Sequence, residues 1–179
     1  MHEDWLKEGD QTKATPYIKK IAEKFKGNNL NTCVSIVEWL LETVKLENDK
    51  KIKSRVFRKR TAEKIIKDGF GTGCSDFALA FIALARAKGI PTKYVEGISM
   101  KWLDKSDASL EGHVWAEVFA NNNWYIIDAI NSTIHFRRKE GKLSNPSGYI
   151  VLDKGLDSWS LGIKSFTDLK KKIQQLQFL

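Results

Sequence analysis

The apolar residues of this chain change period once, at Gly89-Ile90-Pro91, and that change limits the folds open to it. Before it, Phe77, Ala78, Phe81, Ile82, Leu84 and Ala85 recur at spacings of three and four, the pattern of an amphipathic or buried helix that begins at or just after Cys74. After it the period is two. Thr92 to Ser99, His113 to Phe119 and Trp124 to Ala129 read as strands, with Asn121-Asn122 as the hairpin turn between the last two. Upstream, Thr15-Pro16 opens a helix with Tyr17, Ile18, Ile21 and Phe25 at helical spacing, threonine as the cap and proline at the first helical position. A second helix opens at Asn31-Thr32 with Ile36, Val37, Leu40, Leu41 and Val44 on one face, and a third runs through Thr61 to Lys67 and ends at Asp68-Gly69. Leu169, Ile173 and Leu176 mark a closing amphipathic helix. Helices first and antiparallel strands after them make an α+β order. With three prolines, no repeat and no long Gly/Ser stretch to act as a linker, residues 1–179 read as one domain, long enough to bury one core.

Composition removes several function classes. No run approaches the roughly 18 apolar residues of a membrane span, and Met1-His2-Glu3-Asp4-Trp5 lacks the basic-then-apolar order of a signal peptide. The two cysteines, Cys33 and Cys74, make no disulfide framework, and no CxxC or Cys/His cluster suggests zinc. Free thiols, no metal, no cofactor and a reducing, cytoplasmic setting are the expectations. The formal charge is +8, and Lys50 to Arg60 holds seven basic residues among eleven. Without an aromatic-rich RNA-binding signature beside it, this run reads as a solvated, lysine-rich face. Nucleic-acid binding through residues 50–60, which would be strongly salt-dependent, is the alternative.

The glycines of Gly71-Thr72-Gly73 precede Cys74, and a helix follows it. A thiol is a nucleophile only as thiolate, and a helix N-terminus stabilises that charge while its free N–H groups can receive an oxyanion. Cys33, inside an apolar helical stretch, reads instead as a small buried hydrophobe. His113, Trp115, Glu117 and Phe119 share one face of their strand, and Asp128 ends the partner strand. A hairpin centred on Asn121-Asn122 sets Trp115 opposite Asp128 and makes His113 the diagonal neighbour of Asp128, roughly 7–8 Å away along the backbone. A three-residue turn without a bulge would put the two on opposite faces. A carboxylate orienting an imidazole that takes the thiol proton is the logic of a Cys-His-Asp triad.

These residues carry a resemblance. Gly73-Cys74-Ser75-Asp76, followed by Leu84-Ala85-Arg86-Ala87-Lys88-Gly89-Ile90-Pro91-Thr92-Lys93-Tyr94-Val95-Glu96-Gly97, resembles the first signature of the transglutaminase-like superfamily. Gly112 to Phe119, and Trp124 to Asp128, resemble the second and third, in the right order. The resemblance implies a papain-like fold, with the nucleophile at a helix start packed on an antiparallel sheet, and the triad Cys74, His113 and Asp128. It makes Arg86 a structural ion-pair partner. Gly73 and Trp115 are candidate walls of a substrate cleft, with plain core packing the other reading of Trp115. The implied activity is acyl transfer from a peptide or protein amide, to water as in a protease or amidase, or to an amine as in a transglutaminase. A non-catalytic peptide-binding module on the same fold is a further alternative.

Overall fold

The structure is a computed structural model that describes residues 2–101, 111–131, 133–135, 146 and 148–176. A 3-10 turn, His2–Leu6, precedes α1 (Pro16–Ala22), α2 (Leu30–Thr43), β1 (Lys45–Leu46), α3 (Lys50–Val56), α4 (Ala62–Asp68) and β2 (Phe70–Gly71). Then come α5 (Cys74–Ala87), β3 (Thr92–Ser99), β4 (Gly112–Ala120), β5 (Asn123–Asp128), β6 (Thr133–His135), β7 (Tyr149–Gly155) and α6 (Phe166–Leu176). Helices packed on one antiparallel sheet give the α+β architecture that the change of period implies, in the papain-like arrangement that the resemblance implies.

The local signals explain most element ends. Thr15 caps α1 by accepting from Ile18 N, with proline at the first helical position. Thr61 caps α4 in the same way, and Gly69 stops it with φ +71°, a left-handed conformation that glycine adopts without strain. The second helix starts earlier than its apolar pattern suggests. Its cap is Asn29, which exchanges hydrogen bonds with Thr32 in a capping box, so Thr32 lies inside the helix and does not open it. Elements with no strong pattern of their own, α3, β6 and β7 among them, are additions to the sequence reading.

α5 is buried on every side from Ser75 to Arg86, as befits a helix with apolar residues all round. It packs against α1, α2, α4 and the inner face of the sheet through Phe77, Leu79, Phe81, Val114, Ala116 and Val118. Truncating Phe81 to alanine would cost about 3–5 kcal/mol. This central position fixes where the helix N-terminus, and hence Cys74, must lie.

The sheet order is β6-β5-β4-β3-β7. Asn121 and Asn122 both have positive φ, 49° and 61°, the conformation of a two-residue hairpin turn whose twist matches the strands. The register Ala116 to Ile127 and Glu117 to Ile126 is the one a turn centred there dictates. His113 and Asp128 therefore share a face. Arg86 is structural, but it forms no close ion pair among the described residues. It donates to Thr92 O, Trp5 O and Thr12 Oγ1, and burial pulls its pKa down to about 10 against the attraction of Asp157 and Glu8.

The basic run is not a uniformly solvated face. Arg58 and Arg60 are buried, whereas Lys50, Lys51, Arg55 and Lys59 are exposed. Arg58 has φ +54°, and this left-handed turn after Phe57 sends its side chain inward. Two guanidinium bonds of 2.7 Å join it to Glu96. Arg60 reaches Asp76 at 2.6 Å and Asp68 at 3.1 Å. Buried charges persist only when paired in this way. Among the described residues no helix is long and apolar enough to cross a membrane, and no group of three His, Cys, Asp or Glu is placed to hold a metal ion.

Candidate active site

Cys74 is the first residue of α5. Its N-cap is Gly73, which offers no side-chain cap; Asp76 N–H turns back to Gly73 O at 3.2 Å, and the N–H groups of Cys74 and Ser75 ahead of it receive no capping side chain. A Cβ at Gly73 would meet nothing within 4 Å, so the backbone there stands beside open space at the thiol. The loop is held from below by Asp76 in the first turn. Its Oδ2 accepts from Thr72 N and Thr72 Oγ1, both at 2.8 Å, and from Arg60 at 2.6 Å. Parallel pairing of Phe70-Gly71 with Lys45-Leu46 anchors the other end of the same loop.

His113 and Asp128 meet at the end of the sheet nearest Cys74. His113 Nε2 lies 2.7 Å from Asp128 Oδ2, which also accepts from Asn131 Nδ2 at 2.9 Å. Cys74 is close enough for the charge of its sulfur to favour the protonated imidazole. With Nε2 committed to Asp128, Nδ1 is the nitrogen left for sulfur. Rings of Trp115 and Tyr149, with centroids 6.0 and 5.1 Å away, hold the imidazole plane from the sides. His113 is thus bonded to Asp128, and Cys74 lies near enough for its charge to act on the same imidazole.

The electrostatics follow from these contacts. Burial opposes a charge on His113, but the hydrogen bond to Asp128 and the nearby Cys74 sulfur, with the negative charge of both, outweigh burial and push its pKa up to about 10. Burial also opposes charge on Asp128. The bonds from His113 and Asn131 overcome that opposition and hold the carboxyl below its usual range. Burial, with the neighbouring charges of Glu111, Cys74 and Asp128, raises the Tyr149 phenol.

Trp115 does not wall a cleft. It is fully buried in a small cluster with Val95 and Ile126, covered by Tyr149 and Val151. Gly97 makes this possible, because a Cβ there would sit 2.3 Å from the indole ring. Trp115 backs the histidine and has no surface for substrate. Gly73, by contrast, lines a hollow of about 140 Å³ together with Cys74, Ser75, Gly112, Phe57 and Phe166. Cys33 is fully buried, and burial pushes its thiol up to about 12.

Several groups at the site escape a sequence reading. Beneath Cys74, Arg58 also donates to Tyr94 Oη at 2.8 Å and Ser158 Oγ at 3.1 Å, and it feels the charge of Cys74. Tyr149 comes from β7, far along the chain from the histidine it touches. Asn131 follows a hairpin strand by three residues and could have been suspected as a local Asx partner of Asp128. The others carry no local signal.

The family description of the transglutaminase-like superfamily matches residues 19–129, more than half of the chain. No curated protein matches the sequence. Among solved structures, a candidate cysteine protease from Cytophaga hutchinsonii superposes with a TM-score of 0.65 at 22% identity. The match covers 90% of this chain and 49% of that one, so the chain spans about half the length of this neighbour. At that identity the likeness bears on fold alone.

Proposed function

We propose, for a chain that belongs to the transglutaminase-like superfamily, that it is a cysteine-dependent acyl-transfer enzyme acting on peptide or amide bonds. The observation that carries the reading is the His113–Asp128 hydrogen bond of 2.7 Å, set where the charge of Cys74 at the start of α5 reaches the imidazole. Cys74 is the nucleophile, His113 the general base and acid, and Asp128 the group that orients and charges the imidazole.

The chemistry runs in two stages. Sulfur attacks the amide carbonyl carbon, forming a C–S bond and moving an electron pair onto the carbonyl oxygen. The uncapped N–H groups at the start of α5 face that oxyanion. As the intermediate collapses the C–N bond breaks, and His113 gives its proton to the leaving amine. The thioester that remains is then attacked by water or by an amine, whose proton passes to His113, and the C–S bond breaks to release the Cys74 thiolate. Water gives a protease or amidase and an amine gives a transglutaminase. Hydrolysis is the preferred reading, because water is the default acceptor at a site open to solvent.

Both outcomes pass through an acyl group on Cys74, so the test is made there. A small activated ester offered to the protein should acylate Cys74 stoichiometrically, as read by intact mass and peptide mapping. Cys74→Ala should remain unlabelled. Acylation spread over lysines with Cys74 untouched would end the reading.

A further inference from the structure

Beside the hollow at Cys74 lies a wider groove of about 530 Å³ that shares Phe57, Thr72 and Phe166 with it. Two phenylalanines and two lysines line it beside Ser54, Thr72, Ser165 and Thr167. Phe57 and Phe166 meet edge to face at 6.4 Å, and Phe166 is 44% exposed. Lys53 and Lys59 line the groove, and Lys170 Nζ lies 5.1 Å from the Phe166 ring centre. The turn that buries Arg58 creates this arrangement, since it leaves Phe57 and Lys59 on the groove side while the arginine between them pairs with Glu96. The acid beside the groove, Asp168, is turned to other work: it accepts from Lys164 N and Ser165 Oγ at the start of α6. Lys53 is within 3.5 Å of Asn48 Oδ1, a neutral partner. The groove therefore offers positive charge next to exposed aromatic surface.

Its side of the thiol matters. Among the described residues that line the hollow and the groove, none is His113, Asp128 or Tyr149. The general acid must face the departing amine, so the leaving group belongs on the His113 side and the acyl portion on the Phe57 side.

We infer that this groove is the acyl-side subsite for an acidic stretch of peptide, with a carboxylate side chain between Lys53 and Lys59 and apolar surface against Phe57 and Phe166. The inference rests on the proposed acyl-transfer function and names its substrate class. The two lysines are specificity-determining residues outside the triad.

The test uses matched tripeptide chloromethyl ketones, with one constant residue beside the electrophile and either glutamate or its neutral isostere glutamine at the two positions before it. Thioether formation on Cys74 is followed by mass. The glutamate probes should label the wild type about two- to fivefold faster at low salt, the scale of one solvent-exposed ion pair. The preference should vanish in about 1 M salt, where the Debye length is about 3 Å. It should also vanish in the double variant Lys53→Gln, Lys59→Gln, while iodoacetamide alkylates Cys74 at the wild-type rate in that variant. Equal labelling by both probes in the wild type, with Cys74 still reactive, overturns the inference and leaves the acyl-transfer reading standing. Protection of Cys74 by an RNA oligonucleotide, with no glutamate preference, also overturns it and assigns the lysines to phosphate. A Cys74 that reacts no faster than an ordinary thiol with any reagent sinks the underlying reading instead.

Discussion

α2 and α5 are each fourteen residues long, each carries one cysteine near its start, and they treat that cysteine in opposite ways. At α2 the polar ends are closed. Asn29 and Thr32 satisfy the first N–H groups, and Cys33, one residue further in, packs in the core with its thiol pushed up to about 12 by burial. At α5 the cap is glycine, no side chain fills the helix end, and Cys74 is half-exposed beside an imidazole. The same helix physics thus yields an inert thiol or a candidate nucleophile. What separates them is burial, complete at Cys33, together with the place of Cys74 at a helix start that no side chain caps.

Exchanging function for stability at the two positions should separate them most sharply. Cys74→Ala is expected to abolish amide cleavage or transfer and to leave the unfolding midpoint unchanged. Cys33→Ala should leave turnover near wild type and lower stability by about 1 kcal/mol, the usual cost of a small core truncation. Steady-state rates and urea melts on both variants check this, and residual turnover in Cys74→Ala would break the comparison. Next in size is Asp128→Asn. It keeps the shape but removes the charge that holds His113 protonated, so turnover should fall by as much as about 10⁴-fold with little change in KM.

A subtler change would make α5 resemble α2. Gly73→Asp supplies the missing cap, which should stabilise the helix by a few tenths of a kcal/mol, because glycine is already a tolerable cap. The added carboxylate would compete for the N–H groups, so iodoacetamide should alkylate Cys74 more slowly. A faster reaction would show that the helix end plays no part in activating the thiol. The smallest effect concerns pH. His113 binds its proton more tightly when folded, so its contribution to stability is complete below pH 6.5 and is lost as pH rises towards about 10. Asp128 contributes in the opposite sense, with stability present above its usual pKa of 3.8 and lost as pH falls below it. Urea midpoints should therefore decline between pH 6.5 and pH 10 more steeply in the wild type than in His113→Gln.

How far the site can be read from the sequence depends on how local its causes are. Glycine, cysteine and a helical period are contiguous, so the start of α5 is legible. The Asn121-Asn122 turn fixes the hairpin register, which brings His113 and Asp128 to one face without any long-range information. The basic run fails as a local reading, because Arg58 pairs with Glu96, 38 residues away, and Arg60 with Asp76, 16 away. Nothing near residue 58 announces those carboxylates. Trp115 fails for the same reason. Alternation gives its face, but the cover comes from Tyr149 and Val151 on β7, an edge strand that is half-buried along most of its length and so shows no clean alternation. The capping box of α2 is local, yet a threonine inside the helix masked the asparagine that caps it.

The central claim is that His113 activates Cys74 as the nucleophile, and the rate of its alkylation by iodoacetamide at neutral pH measures it most directly. The wild type should react much faster than an ordinary thiol, and His113→Ala should lose that excess. Equal rates in the two proteins, both those of an ordinary thiol, would contradict it and return Cys74 to the class of Cys33.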